Sequence, residues 1–295
     1  MTNIIKDEIK KLKPDISDSS IKTYTSILKN IYQKVFNSSD IDLSKFDDET
    51  DKILEFLKTI TANRRKTILS ALVVITDNKK YRDLMLDDIS EYNKDIAKQE
   101  KTEQQKLSWV EIGEVKNILN ELKDDSEILY KKKVLKIQDL QQIQNYIIMC
   151  LLSGVYIAPR RSKDYIDFKI KNIDPDSDNY LTKSNLVFNS YKTAKTYGTQ
   201  TIAVPIQLKN ILLKWIKVNP TEYLLFDSKF SKLSAVKLNQ RINILFSNKK
   251  VSVNQLRHTF LSDKYKDTIK QNKEINQIMK EMGSSTQQLS TYVKN

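Results

Sequence analysis

Four glycines and five prolines in 295 residues leave this chain few places to turn sharply. Glycine supplies left-handed backbone and proline interrupts helices, so a sequence poor in both, with apolar residues at three- and four-residue spacing, is expected to be largely helical. SDSSIKTYTSILKNIYQKVF puts Ile21, Tyr24, Ile27, Leu28 and Ile31 on one face, behind a serine-rich start suited to N-capping. ETDKILEFLKTI, ANRRKTILSALVVIT and DLMLDDISEYNKDIAK read as three further helices, giving a compact bundle over residues 1–98.

The stretch KQEKTEQQK, residues 98–106, contains no apolar residue. Ser108-Trp109-Val110-Glu111 then has the spacing of a capping box. A linker is expected at 99–107, separating the helical domain 1–98 from a second domain, 108–295, and the chain length suits two domains. Helices are expected at 108–122 and 137–153. NLVFNSY and TQTIAVP, rich in β-branched and aromatic residues, flank KTAKTYG and predict a β-hairpin that turns at Gly198 with lysines near its tip. ILLKWI, residues 235–247, SVNQLRHTFLSDKY and EINQIMKEM return to helical spacing. The expected fold is mainly α with a small β-hairpin or sheet, an α+β arrangement.

A net charge of +13 attracts polyanions, which means nucleic acid or an anionic membrane surface. No segment approaches the roughly 18 apolar residues of a membrane span, and the first residues lack a signal-peptide core, so a soluble, intracellular protein without a membrane partner is expected. Cys150, the single cysteine, lies in the apolar run IIMCLL and reads as a small buried hydrophobe. One cysteine and one histidine cannot assemble a zinc site of the usual type, and no metal is expected. Only seven of the 50 basic residues are arginine. Arginine's planar fork can hold two phosphate oxygens where lysine is a point charge, so each arginine is informative.

Four segments carry candidate chemistry, in this order: SGVYIAPRRSKDYIDFKIKNID; the hairpin SYKTAKTYGTQTIAVPI; Asn254-Gln-Leu-Arg257-His258-Thr-Phe; and EMGSSTQQLSTYVKN. Taken singly, each has an ordinary reading, an exposed Arg-Arg pair at a helix start or a solvated hairpin lysine. Taken together, over roughly the C-terminal two-thirds of the chain, they resemble the landmarks of the tyrosine recombinase, or phage integrase, family. The resemblance implies that Arg161, with Asp164 three residues on, is the first phosphate-binding arginine; Arg160, followed at that spacing by Lys163, is the weaker candidate. Lys192 takes the place of the hairpin lysine, with Lys195 the fallback. Arg257 is the second arginine, and Asn254 stands where a histidine is commonest. His258 falls where the family often has a histidine, read either as a buried, hydrogen-bonded residue or as a catalytic one. Tyr292 is the implied nucleophile, and Ser284, eight residues before it, replaces the usual histidine or tryptophan.

What the resemblance implies is cleavage and rejoining of DNA. The phenol attacks a phosphodiester to give a 3′-phosphotyrosyl enzyme and a free 5′-hydroxyl. Two arginines neutralise the charge on the non-bridging oxygens, and the lysine protonates the leaving oxygen. No cofactor is required, and the general base for the phenol is unassigned. The implied partner is double-stranded DNA, clamped between two lysine-rich domains, with Arg64, Arg65 and Lys66 as phosphate or groove contacts in a core-binding domain and Lys195 as a DNA contact in the second domain. Self-association into a tetramer on DNA is implied, with a monomer in its absence. Three residues after Tyr292 are too few for a docking helix, so an exchanged element would comprise residues 284–295. Asn254 and Ser284 leave a second reading open, a catalytically impaired DNA-binding protein of the same fold; a type IB topoisomerase-like enzyme is a third. Richness in Lys, Asn and Ile is consistent with an AT-rich genome, of a mobile element, a virus or a cell.

Overall fold

A computed structural model describes residues 2–294, with side chains from residue 4 onward. The chain divides into two compact units, Met1–Lys101 and Thr102–Asn295. Each has its own core. The molecule is mainly α-helical with one small sheet, as its glycine-poor sequence implies. No helix among the described residues is long and apolar enough to cross a membrane.

The first unit comprises α1 (Thr2–Leu12), α2 (Asp18–Phe36), α3 (Lys45–Asp48), α4 (Thr50–Leu57), α5 (Ala62–Thr76) and α6 (Lys79–Ala97). The serine-rich start caps α2 as its composition suggests, the Ser17 hydroxyl accepting from the Ser20 amide at 3.2 Å. Asn37, in the left-handed region at φ 52°, ends the helix. The N-terminal stretch, whose apolar and charged residues alternate irregularly, is helical because Ile5 and Ile9 lie one turn apart and both are buried. They join Ile21, Leu28, Ile31, Leu69 and Leu72 in the core, where the Tyr81 hydroxyl donates to the Phe46 carbonyl at 2.7 Å.

The second unit opens with α7 (Glu103–Ser108) and α8 (Ile112–Leu129). The expected linker is thus partly helix, and the capping box lies elsewhere than predicted. Thr102 and Gln105 form it, the Gln105 amide donating to the Thr102 hydroxyl at 3.2 Å and the Thr102 amide to Gln105 Oε1 at 2.9 Å. Ser108 is buried at the end of α7 instead of starting a helix, because its hydroxyl is drawn to the Gln104 carbonyl and towards Gln255. Helix α9 (Ile137–Leu152) runs through the middle of this unit, and Tyr146 to Leu152, Cys150 among them, are all buried. At about 1.5–3 kcal/mol for each large apolar side chain removed from water, this helix is the principal stabilising element of the unit.

After α9 come α10 (Ser162–Ile166), β1 (Phe168–Lys169), β2 (Asn179–Leu181), β3 (Asn185–Phe188), α11 (Ala194–Tyr197) and β4 (Gln200–Ala203). The strands form a sheet in the order β1-β2-β3-β4, parallel between β1 and β2 and antiparallel elsewhere. The predicted hairpin is β3–β4, with Leu186 opposite Ile202 and Phe188 opposite Gln200. Its connection is not a tight turn: Gly198, at φ 64°, instead terminates the single turn of α11. Helices α12 (Ile206–Val218), α13 (Ala235–Leu245) and α14 (Val253–Glu281) follow, then a 3₁₀ turn, Thr286–Gln288, and α15 (Leu289–Tyr292). Two separate helices were expected where α14 is one of 29 residues. Its intervening segment, KDTIKQNKE, holds no glycine or proline and is mostly good helix formers, so nothing stops the helix.

The turn after α9 meets the start of α14 at Gly154. This glycine has φ 79°, and a Cβ built on it would lie 2.2 Å from the Phe260 ring. Left-handed strain and the clash add, so Gly154→Ala is expected to destabilise the second unit by about 2–4 kcal/mol, read by urea denaturation. A loss under about 1 kcal/mol would show that this contact yields easily.

Candidate functional site

The seven arginines separate into two groups. Arg82 is paired with Asp77. Arg241 donates to the Gln141 carbonyl at 3.2 Å and to Asn145 Oδ1 at 3.3 Å. Arg65, one of the expected phosphate contacts, is instead committed to the fold. Its Nε and Nη2 donate to Asp88 at 2.9 and 2.5 Å, and Asp88 is only 1 % exposed. Lys66, also expected to meet DNA, has its ammonium 3.0 Å from the centroid of the Tyr92 ring. Of that trio Arg64 is exposed, beside a groove of about 440 Å³ between α2 and α5 lined by Ser26, Asn30, Asn63 and Thr67.

In the second unit Arg160, Arg161 and Arg257 gather around Asp164. Arg160 and Arg161 precede α10, which begins at Ser162, and Asp164 lies in its single turn, buried to 2 % exposure. Arg160 Nε donates to Asp164 Oδ2 at 2.7 Å. Burial pushes the Asp164 carboxyl up, and the guanidiniums of Arg160, Arg161 and Arg257 pull it back towards the ionised form. Arg257 feels the same cluster: burial and then the positive charge of Arg161 push it down, and the Asp164 carboxylate opposes them. Arg161 and Arg257, far apart in sequence, are therefore neighbours in space. Arg161 is exposed and Arg257 half-buried. Neither makes an ion pair among the described residues, so their charge is available to an anion.

Helix α14 presents the third motif. Ser252 caps it, accepting from the Gln255 amide at 3.2 Å, and Leu256, Thr259 and Phe260 turn inward. Asn254 and Arg257, one turn apart, face outward together, with Arg257 Nη1 donating to Asn254 Oδ1 at 3.2 Å. His258 is exposed, which corrects the expectation of a buried, hydrogen-bonded histidine. Its neighbour Thr259 takes the inward position, its hydroxyl donating to the Val110 carbonyl at 2.8 Å.

The hairpin loop is tied to the arginines by residues the sequence reading passed over. Buried Asn179, on β2, donates to the carbonyls of Asp164 and Ser190 at 3.0 and 2.8 Å, and its Oδ1 accepts from the Ser190 amide. The Tyr191 ring lies 5.1 Å from the Arg160 guanidinium, and its hydroxyl donates to the Gly198 carbonyl at 2.7 Å, closing the loop between them. Lys192 and Lys195 project from that closed loop and are exposed. No motif marks Asn179; only its lack of solvent in a chain rich in exposed asparagines distinguishes it.

Tyr292 stands apart. Arg257 and Glu281 are 24 residue steps apart on α14, about 36 Å at roughly 1.5 Å per step. Gly283, at φ 66°, reverses the chain, with the Ser284 amide donating to the Met279 carbonyl at 2.8 Å. The coiled residues that follow can recover at most about 20 Å of that span. Tyr292 is 56 % exposed, and Ser284, bonded to Gln288 at 2.5 Å, follows the far end of α14. The structure thus brings together Arg160, Arg161, Asp164, Asn254 and Arg257, sets the Lys192 loop beside them, and leaves Ser284 and Tyr292 outside.

No family model matches the sequence, and no curated protein is similar to it. Among solved structures, one that resembles it is described as a crystal structure of XerA recombinase, at 14% identity over 89% of this chain and 84% of that one, with a TM-score of 0.37. That likeness is too slight to place any residue.

The pairing of Arg65 and the freedom of Arg64 predict opposite behaviour. Arg65→Ala leaves a buried carboxylate alone and is expected to lower the stability of the first unit by about 3 kcal/mol, whereas Arg64→Ala is expected to change it by less than about 0.5 kcal/mol. Thermal unfolding of the two variants beside the parent chain checks this; equal losses would contradict the assignment.

Proposed function

We propose that this chain is a DNA strand-transfer enzyme of the tyrosine recombinase type, cleaving and rejoining duplex DNA through a 3′-phosphotyrosyl intermediate. What supports the reading is that Arg161 and Arg257, 96 residues apart in sequence, both act electrostatically on the one buried carboxylate of Asp164. Two guanidiniums without a carboxylate of their own suit the non-bridging oxygens of a single phosphodiester, and most of all the charge-rich transition state. Asn254 adds an amide that can donate to the same phosphate.

In the proposed reaction the Tyr292 oxygen forms a bond to phosphorus and the bond to the 5′ oxygen breaks. The electron pair leaves on that oxygen, which takes a proton from Lys192, and the phenolic proton passes to water. Because Tyr292 lies away from the arginines, this chemistry requires the segment beyond Phe260 to move, or a second copy to supply its tyrosine. Residues Leu261 to Asn272 are exposed on every face, so little packing opposes such a movement. The two-domain division of labour, with residues 1–98 gripping DNA and 108–295 carrying the chemistry, and the assembly of four chains on DNA, belong to the same proposal. A specific observation favours a second reading, DNA binding without cleavage: the separation of Tyr292 from the cluster along α14.

Nicked suicide duplexes of randomised sequence distinguish the two. A covalent protein–DNA adduct is expected from the parent chain and none from Tyr292→Phe, with Arg161→Ala and Arg257→Ala lowering adduct formation at least about 100-fold but duplex affinity far less. Affinity should fall steeply as salt is raised from about 50 to 200 mM, since each neutralised phosphate releases counterions. Salt-sensitive binding with no adduct would establish the second reading. Binding indifferent to salt would exclude both.

A further inference from the structure

We infer that Arg160 is a positioning residue that holds the Lys192 loop against the arginine site, and that it does not itself contact the phosphate. The inference rests on the strand-transfer reading above. The Arg160 guanidinium is held by two hydrogen bonds and lies against two aromatic rings. Nε donates to Asp164 Oδ2 at 2.7 Å, and Nη1 donates to Gln200 Oε1 on β4 at 2.8 Å. The guanidinium carbon lies 4.1 Å from the Phe188 ring centroid and 5.1 Å from that of Tyr191. The side chain is only 16 % exposed. Arg161, the next residue, is exposed and makes no ion pair among the described residues.

The partners of Arg160 come from α10, from the end of β3, from the loop that follows it and from the start of β4. One planar cation therefore joins the element that carries Arg161 to both ends of the loop that carries Lys192. Tyr191 precedes Lys192 directly and clasps the far end of the loop through Gly198. Only arginine can donate in two directions in one plane while stacking on aromatic rings; a lysine ammonium has neither the fork nor the flat face. The function assigned to Arg160 is thus exerted through Lys192, on the proton that the leaving oxygen requires.

That role has a chemical signature. When the bond to phosphorus breaks, an alkoxide leaving group needs a proton, whereas a thiolate does not, because a thiol is already acidic near pKa 8.5. Two variants interrupt the link: Arg160→Met, which keeps the stem and loses the fork, and Gln200→Leu, which removes the other end. Each is assayed for covalent adduct on a nicked duplex of the selected sequence, with either oxygen or sulfur at the scissile 5′-bridging position.

With oxygen, both variants are expected to slow adduct formation at least about tenfold, as is Lys192→Ala. With sulfur, all three are expected to return to within about threefold of the parent chain, while Arg161→Ala and Arg257→Ala remain slow. A defect in Arg160→Met and Gln200→Leu that sulfur fails to restore would overturn the inference and put Arg160 in the phosphate clamp. Unchanged rates on oxygen would overturn it too. If Arg160→Met does not fold, as its melting curve reveals, Gln200→Leu bears the same expectations alone. A parent chain that forms no adduct on either substrate would reject the strand-transfer reading and this inference with it, so the parent arm separates the two failures.

Discussion

One buried carboxylate organises the candidate site. Three guanidiniums brought close together repel one another, and without a countercharge the segment before α10 and the start of α14 would be driven apart. Asp164 supplies that charge. Its Oδ2 is taken by Arg160, while its Oδ1 is buried without a hydrogen-bond partner among the described residues, so its charge is left to act on Arg161 and Arg257 through space. Burial pushes the carboxyl up, and the attraction of the three arginines opposes that shift as it holds them together. The cluster retains an excess of positive charge, which is what a phosphodiester would meet.

The rest of the second unit serves that arrangement. α9, buried continuously from Tyr146 to Leu152, fixes the segment from which Gly154 and the Arg160-Arg161 pair emerge. The close approach of Gly154 to Phe260 sets α14 against that end, and Thr259 anchors its first turns to Val110. Asn179 then fastens Ser190 to the backbone of Asp164. The site is thus tied together by hydrogen bonds around Asp164. It is unsupported beyond Phe260, where α14 runs on with nearly all of its residues in solvent until Met279, which is buried.

Where local pattern and packing agree, the sequence was a sufficient guide. Helix α5 spans the fifteen residues ANRRKTILSALVVIT, and α2 follows the serine start and the Ile21, Leu28, Ile31 face. Where two local signals competed, it was not. Thr102 and Ser108 both have capping-box spacing, and the choice fell to Thr102 because Ser108 is occupied by burial near Gln255. Gly198 marks a real change of direction, but the eleven-residue connection from β3 to β4 is long enough to coil before reaching it. The polar segment in the middle of α14 resembles a break only because nothing packs on it; solvent, not a turn, explains its composition.

The sequence by itself determined the helical class, the small sheet and its hairpin, and the order of four motifs bearing arginine, lysine, arginine and tyrosine, because periodicity and residue chemistry are local properties. Which arginines are free was decided only by tertiary structure. Arg64 and Arg65, like Arg160 and Arg161, are adjacent and chemically identical, yet one of each pair is consumed by a partner 23 residues away or by a carboxylate and two rings. The distance of Tyr292 from the arginines was likewise fixed by the unbroken length of α14. Partnership of a charged group depends on what the fold brings within a few ångströms, and no spacing along the chain encodes that.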